Sequence, residues 1–63
     1  MLKVTYRDQH WAVRGNQTVR ELIQQVGLDP ATVIAVRDGK LVFDKELLGE
    51  DDEIKLIAVI SGG

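Results

Sequence analysis

Reactive side chains are scarce in this 63-residue sequence, and the scarcity narrows the chemistry open to it. No cysteine is present, which removes thiolate nucleophiles, disulfides and thiolate metal sites together. The single histidine, His10, has neither a second histidine nor a cysteine to complete a ligand set, and no serine-centred catalytic context. It is expected at the surface. A different candidate feature is the end of the sequence, Ile60-Ser61-Gly62-Gly63. Glycine fills about 7% of positions, so a terminal pair by chance is roughly a 1-in-200 event. A carboxylate is inert to nucleophiles until it is joined to a good leaving group. An enzyme that does this must draw the tail through a narrow channel to reach ATP. Paired glycines, lacking Cβ atoms, pass and bend there where other residues do not. The plain alternative is a frayed end without a role.

Composition constrains the rest of the chain. With 44% hydrophobic and 29% charged residues the sequence is ordinary globular material for one domain. A domain this small buries only about 60% of the surface its unfolded chain exposes. Its core is thin, with little room for a deep catalytic cleft, which favours a carrier or binding module over a self-contained enzyme. The net charge of −2 and pI near 5.1 supply no basic field for a phosphate backbone, so direct nucleic-acid binding is not expected. No apolar run approaches a membrane span, and patterned sequence starts at once rather than a signal peptide. A soluble cytoplasmic protein is the expectation.

The elements that must hold the tail can be read from periodicity. Leu2, Val4 and Tyr6 alternate with Lys3, Thr5 and Arg7, the pattern of a half-buried strand. A turn at Asp8-Gln9 would lead into a second strand over residues 10–14, with Trp11 and Val13 on one face as packing residues. Gly15 and Asn16 break it. Thr18 and Glu21 form a capping box, and Val19, Leu22, Ile23 and Val26 then share one face of a helix of about ten residues. Gly27 suits the C′ position, Leu28 the closing apolar contact, and Pro30 prevents resumption. Residues 32–37 read as a strand, Asp38-Gly39 as a hairpin turn and residues 40–43 as a short partner. Residues 44–52 are expected as a turn or short 3₁₀ segment anchored by Leu47 and Leu48. A last strand over 53–60 carries Ile54, Leu56, Ala58 and Ile60 on one face, and Lys55, Ile57 and Val59 on the other. With the short partner at 40–43 left out of the count, the order is ββαββ, and the helix has only a sheet face on which to bury its apolar stripe. Apolar residues on both faces give the last strand a central position.

These features taken together, with Asp38-Gly39 between the middle strands, an acidic turn at Glu50-Asp51-Asp52-Glu53 and the ending Ile57-Ala58-Val59-Ile60-Ser61-Gly62-Gly63, resemble the ThiS/MoaD family of ubiquitin-like (β-grasp) sulfur carriers. The resemblance spans essentially the whole chain. From residue 33 onward it is nearest to the compact ThiS-like carriers, the TtuB type included. The proline-rich approach to Gly-Gly of typical MoaD is missing, which places molybdopterin synthesis behind tRNA 2-thiolation and thiamine thiazole formation. The resemblance implies an α+β β-grasp fold in one domain over residues 1–63: a mixed sheet of four to five strands, one helix on one face, and a flexible tail at 61–63.

It also implies a mechanism. An E1-like adenylyltransferase of the ThiF/MoeB type would adenylate the Gly63 carboxylate with ATP and magnesium. A persulfide supplied by a cysteine desulfurase or rhodanese would displace AMP and leave a thiocarboxylate. A sulfur-accepting synthase or tRNA thiolase would receive the sulfur. Gly63 would carry the reactive atom, with Gly62 and Ser61 giving access to it. The chain itself would hold no permanent cofactor and no metal, meet no membrane, and act as substrate and carrier rather than enzyme.

Lys55, Ile57 and Val59, facing away from the helix, together with Ile60, are then the expected docking surface for the activating enzyme. The acidic run at 50–53 would steer such a partner or, more simply, form a solvated turn. Two rival readings share the fold. One is a ubiquitin-like modifier joined to lysines through Gly63, the other a plain interaction domain with an incidental tail.

Overall fold

A computed structural model describes residues 1–59 of the chain, and Ile60, Ser61, Gly62 and Gly63 lie outside the described residues. The alternation at the N-terminus becomes strand β1 (Leu2–Tyr6), in which Leu2 and Val4 are buried and Lys3 is exposed. It pairs antiparallel with β2 (Gln9–Val13), Val4 opposite Trp11 and Leu2 opposite Val13. Because Tyr6 pairs with Gln9, the connecting turn is Arg7-Asp8, one residue earlier than the expected Asp8-Gln9. Arg7 takes the left-handed conformation the turn demands, with φ of 54°. Propensity favours aspartate there, but the register that keeps Leu2 and Val4 on the core face prevails.

A two-residue strand, β3 (Gln17–Thr18), leads directly into helix α1 (Val19–Gln25). Thr18, with extended φ and ψ of −77° and 163°, caps the helix. The Glu21 amide donates to Thr18 Oγ1 at 3.2 Å, and the Thr18 amide donates to Glu21 Oε1 at 2.9 Å. The Thr18 amide, and less strongly the Thr18 hydroxyl, which donates to the same Oε1 at 3.1 Å, hold the Glu21 carboxyl below the usual glutamate range. The next two orphan amides, Val19 and Arg20, donate to the carbonyls of Glu46 and Asp44, each at 3.0 Å. At the other end Leu28 donates to the Ile23 carbonyl and Gly27 to that of Gln24, with Gly27 at φ of 85°, a complete Schellman motif. The helix has seven residues rather than about ten, because Val26 is its C-cap.

After the helix, β4 (Val33–Arg37) and β5 (Lys40–Val42) form a hairpin through Asp38-Gly39, whose φ values of 54° and 78° suit a tight two-residue turn. The largest departure from expectation follows in residues 44–52. Instead of a turn anchored by two leucines, Leu47–Leu48 forms a short strand, β6, paired antiparallel with β3. Strand alternation splits the leucines: Leu48 is fully buried and Leu47 is 62% exposed.

The final strand, β7 (Glu53–Ala58), lies between β1, to which it is parallel, and β4, to which it is antiparallel. The sheet order is β2-β1-β7-β4-β5. The last strand is therefore central as expected, although it ends at Ala58 rather than at residue 60. One face of this five-stranded sheet packs on α1 through Leu2, Val4, Ala35, Ile54 and Leu56 against Val19, Leu22 and Ile23, with Leu48 closing the core. Trp11 and Val13 pack against its margin, as their face in the sequence pattern required.

Candidate functional site

Among the described residues no helix covers the opposite face of the sheet, and the register fixes what it shows. In the middle row Thr5 of β1 neighbours His10 on one side and Lys55 on the other, and Lys55 in turn neighbours Val36, which pairs with Leu41. One row closer to the end of β7, Ile57 pairs with Ile34. The face thus divides. Toward β1 and β2 it is polar, with Lys3, Thr5, His10 and Glu53. Toward β4 and β5 it is apolar, and Ile34, Leu41, Ile57 and Val59 are 38%, 51%, 40% and 46% exposed. A shallow groove at the division is lined by Thr5, Val36, Glu53, Lys55 and Ile57.

Ile57, Val59 and Lys55 are therefore exposed on the uncovered face as the sequence indicated, with Lys55 at the border of the apolar half. Val59 lies just past the strand, its amide donating to the Thr32 carbonyl at 2.7 Å, which ties the exit from β7 to the start of β4. Ile60, Ser61, Gly62 and Gly63, which carry the rest of the expected site, lie outside the described residues. Ile34, Val36 and Leu41 complete the apolar surface and were not among the expected site residues. Their signal was present, since Ile34 and Val36 alternate with core residues Val33 and Ala35 just as Ile57 alternates with Leu56.

The acidic run lies at the start of β7, about 17 Å along the strand from the end that leads into the tail. Half of it is structural rather than solvated. Asp52 accepts from the Gly49 amide at 2.8 Å and from Arg37 at 3.2 Å, and Arg37 also pairs with Glu46 at 3.6 Å. Glu50 accepts from the Gly15 amide at 3.1 Å. His10 is exposed beside Thr5, its Nδ1 3.3 Å from the hydroxyl. Among the described residues no three histidine or carboxylate side chains converge as a metal site, and no helix is long and apolar enough to cross a membrane. The site is thus a surface: an apolar half-sheet on the strand from which residues 60–63 follow.

Comparison with known proteins agrees with this architecture. The sequence model of the ThiS family matches residues 2–63. The chain is 39% identical over 51 residues to the protein described as "Sulfur carrier protein TtuB" of Thermus thermophilus, covering 81% of this chain and 78% of that protein. Among solved structures, the N-terminal ubiquitin-like domain of the 4931431F19Rik protein superposes with a TM-score of 0.69. That match covers 98% of this chain and 76% of the other at 12% identity, a likeness of fold alone. The expected α+β ubiquitin-like fold, with one helix on a mixed five-stranded sheet, is the observed one. With nearly its full length matched by the family model, and a relative of this identity beside it, the chain belongs to the ThiS family.

Proposed function

We propose that this chain is a sulfur carrier, not a catalyst, and that Gly63 is the carboxy-terminal residue that bears the sulfur. An E1-like adenylyltransferase binds the chain through Ile57, Val59 and the neighbouring Ile34, Val36 and Leu41, with Lys55 at the rim and Ile60 continuing the contact. Ser61 and Gly62 follow into the enzyme's active site. A carboxylate oxygen of Gly63 attacks the α-phosphorus of magnesium-bound ATP, releasing pyrophosphate and forming the acyl adenylate. The terminal sulfur of a partner's persulfide, generated by a cysteine desulfurase or rhodanese, then attacks the acyl carbon and expels AMP. The product is an acyl disulfide, and a second thiol attacks its partner-side sulfur. That step leaves the Gly63 thiocarboxylate and a disulfide made from the two partner thiols. The recipient is a tRNA 2-thiolation enzyme or a thiazole synthase. Cytoplasmic location follows from such partners.

The observation that carries this reading is the apolar surface at the end of β7, exposed on the strand from which residues 60–63 follow. Exposed apolar area of this kind marks an interface. The sulfur-carrier relative supports the same chemistry, and Gly62-Gly63 falls within the stretch that the ThiS family model matches. The test is ATP-dependent pyrophosphate release with the ThiF-type enzyme of the same organism. The full chain is expected to support it and a chain lacking Gly62-Gly63 to abolish it. Equal release with the shortened chain would refute the assignment. Lysines of other proteins carrying the tryptic remnant of residues 56–63, without thiocarboxylate, would instead support a protein modifier.

A further inference from the structure

The two edges of the sheet are built differently. Edge strand β5 has three residues, begins with Lys40 and is left by the chain at Phe43, features that discourage pairing with another strand. Edge strand β2 has five residues, Gln9-His10-Trp11-Ala12-Val13, with no lysine, proline or carboxylate among them. Its register with β1 sets which groups face outward. Tyr6 and Gln9 close a two-residue hairpin and are a hydrogen-bonded pair, so Thr5–His10 and Lys3–Ala12 are the non-bonded pairs. The amides and carbonyls of His10 and Ala12 therefore point away from the sheet. Among the described residues no other backbone bond reaches them.

We propose that β2 is a self-association edge, pairing antiparallel with β2 of a second copy about a two-fold axis at Trp11. The occupant is a second copy because the strand's flanks are complementary to themselves under that symmetry. His10 meets Ala12 of the other copy and forms the new ladder, while the two half-buried Trp11 rings meet on the helix side. Asp8 of each copy then stands opposite Arg14 of the other. Both are exposed, and neither makes an ion pair among the described residues. Two opposite-charge pairs thus fix the register of an otherwise uncharged edge. The contact is small, so association is weak and concentration-dependent. The apolar half of the open face lies toward β4 and β5 and stays free in this arrangement.

Sedimentation of the full-length chain over a range reaching millimolar concentration tests the proposal. The wild type is expected to approach twice its monomer mass, with amide NMR shifts on dilution confined to residues 8–14. Asp8→Arg and Arg14→Asp are each expected to weaken association about tenfold, since each places like charges opposite one another twice. An equimolar mixture of these two variants restores both opposite-charge pairs and is expected to associate like the wild type. Ala12→Pro removes only an outward amide and is expected to give a folded monomer. A wild type that stays monomeric throughout, dilution shifts centred on Ile57 instead, or a mixture no stronger than its components would overturn the proposal.

Discussion

At the scale of single residues, three positions show how little redundancy a 63-residue chain has. Gly15 is buried where the chain leaves β2, and a Cβ there would lie 2.5 Å from Glu50 Cα, 2.6 Å from its amide nitrogen and 2.8 Å from the Gly49 carbonyl carbon. These are backbone atoms, which cannot swing aside. Gly15→Ala is expected to cost about 1–3 kcal/mol and lower Tm by roughly 5–20 °C in a thermal melt. Glu21 gives a pH dependence with a definite sign. Its folded pKa lies below its ordinary value, so the cap's contribution is fully present above the ordinary glutamate range and is lost as pH falls through the lowered folded value. Urea midpoints measured down that acid window should fall more steeply for the wild type than for Glu21→Gln. Ile57 separates binding from stability, because it is exposed on a finished fold. Ile57→Asp should reduce kcat/KM for adenylation by the cognate enzyme at least about tenfold while leaving Tm within a few degrees. Unchanged adenylation would remove this residue from the docking surface.

At the scale of elements, the parts legible in the sequence were those whose signal is local. The capping box at Thr18 and Glu21, the Schellman ending at Gly27-Leu28 and the Asp38-Gly39 hairpin stand as read, because each is fixed within a few residues. Residues 44–52 were not legible. Their structure depends on partners far along the chain: β3 for Leu47 and Leu48, and the first helical amides for the carbonyls of Asp44 and Glu46. No nearby pattern announces bonds of that range. The same segment distinguishes two adjacent leucines of identical composition. Leu48→Ala should cost about 2–5 kcal/mol, a large part of a small domain's stability. Leu47→Ala should stay within about 0.5 kcal/mol. Urea denaturation of the two variants checks the contrast, and equal losses would mean that β6 does not sort the pair as described. The apolar surface was half legible for a related reason. Ile57 and Val59 were visible beside the tail, whereas Ile34 and Leu41 join them only once β4 and β5 are set next to β7.

At the scale of the whole molecule, the buried apolar residues form a single thin core beneath one face of the sheet. The exposed apolar residues of the other face fill no part of that core. A chain without cysteine can still carry sulfur if the reactive atom replaces an oxygen of its own terminal carboxylate, and every catalytic group then belongs to a partner. The proposed β2 pairing would occupy the opposite edge of the sheet and compete with none of this. The central claim is chemical, and intact-mass spectrometry of the chain isolated from its native cells tests it most directly. Sulfur carriage predicts a population heavier by the exchange of one oxygen for one sulfur, mapped to Gly63 and lost when the partner adenylyltransferase is deleted. A chain that shows only the unmodified mass in cells with that enzyme active would contradict it.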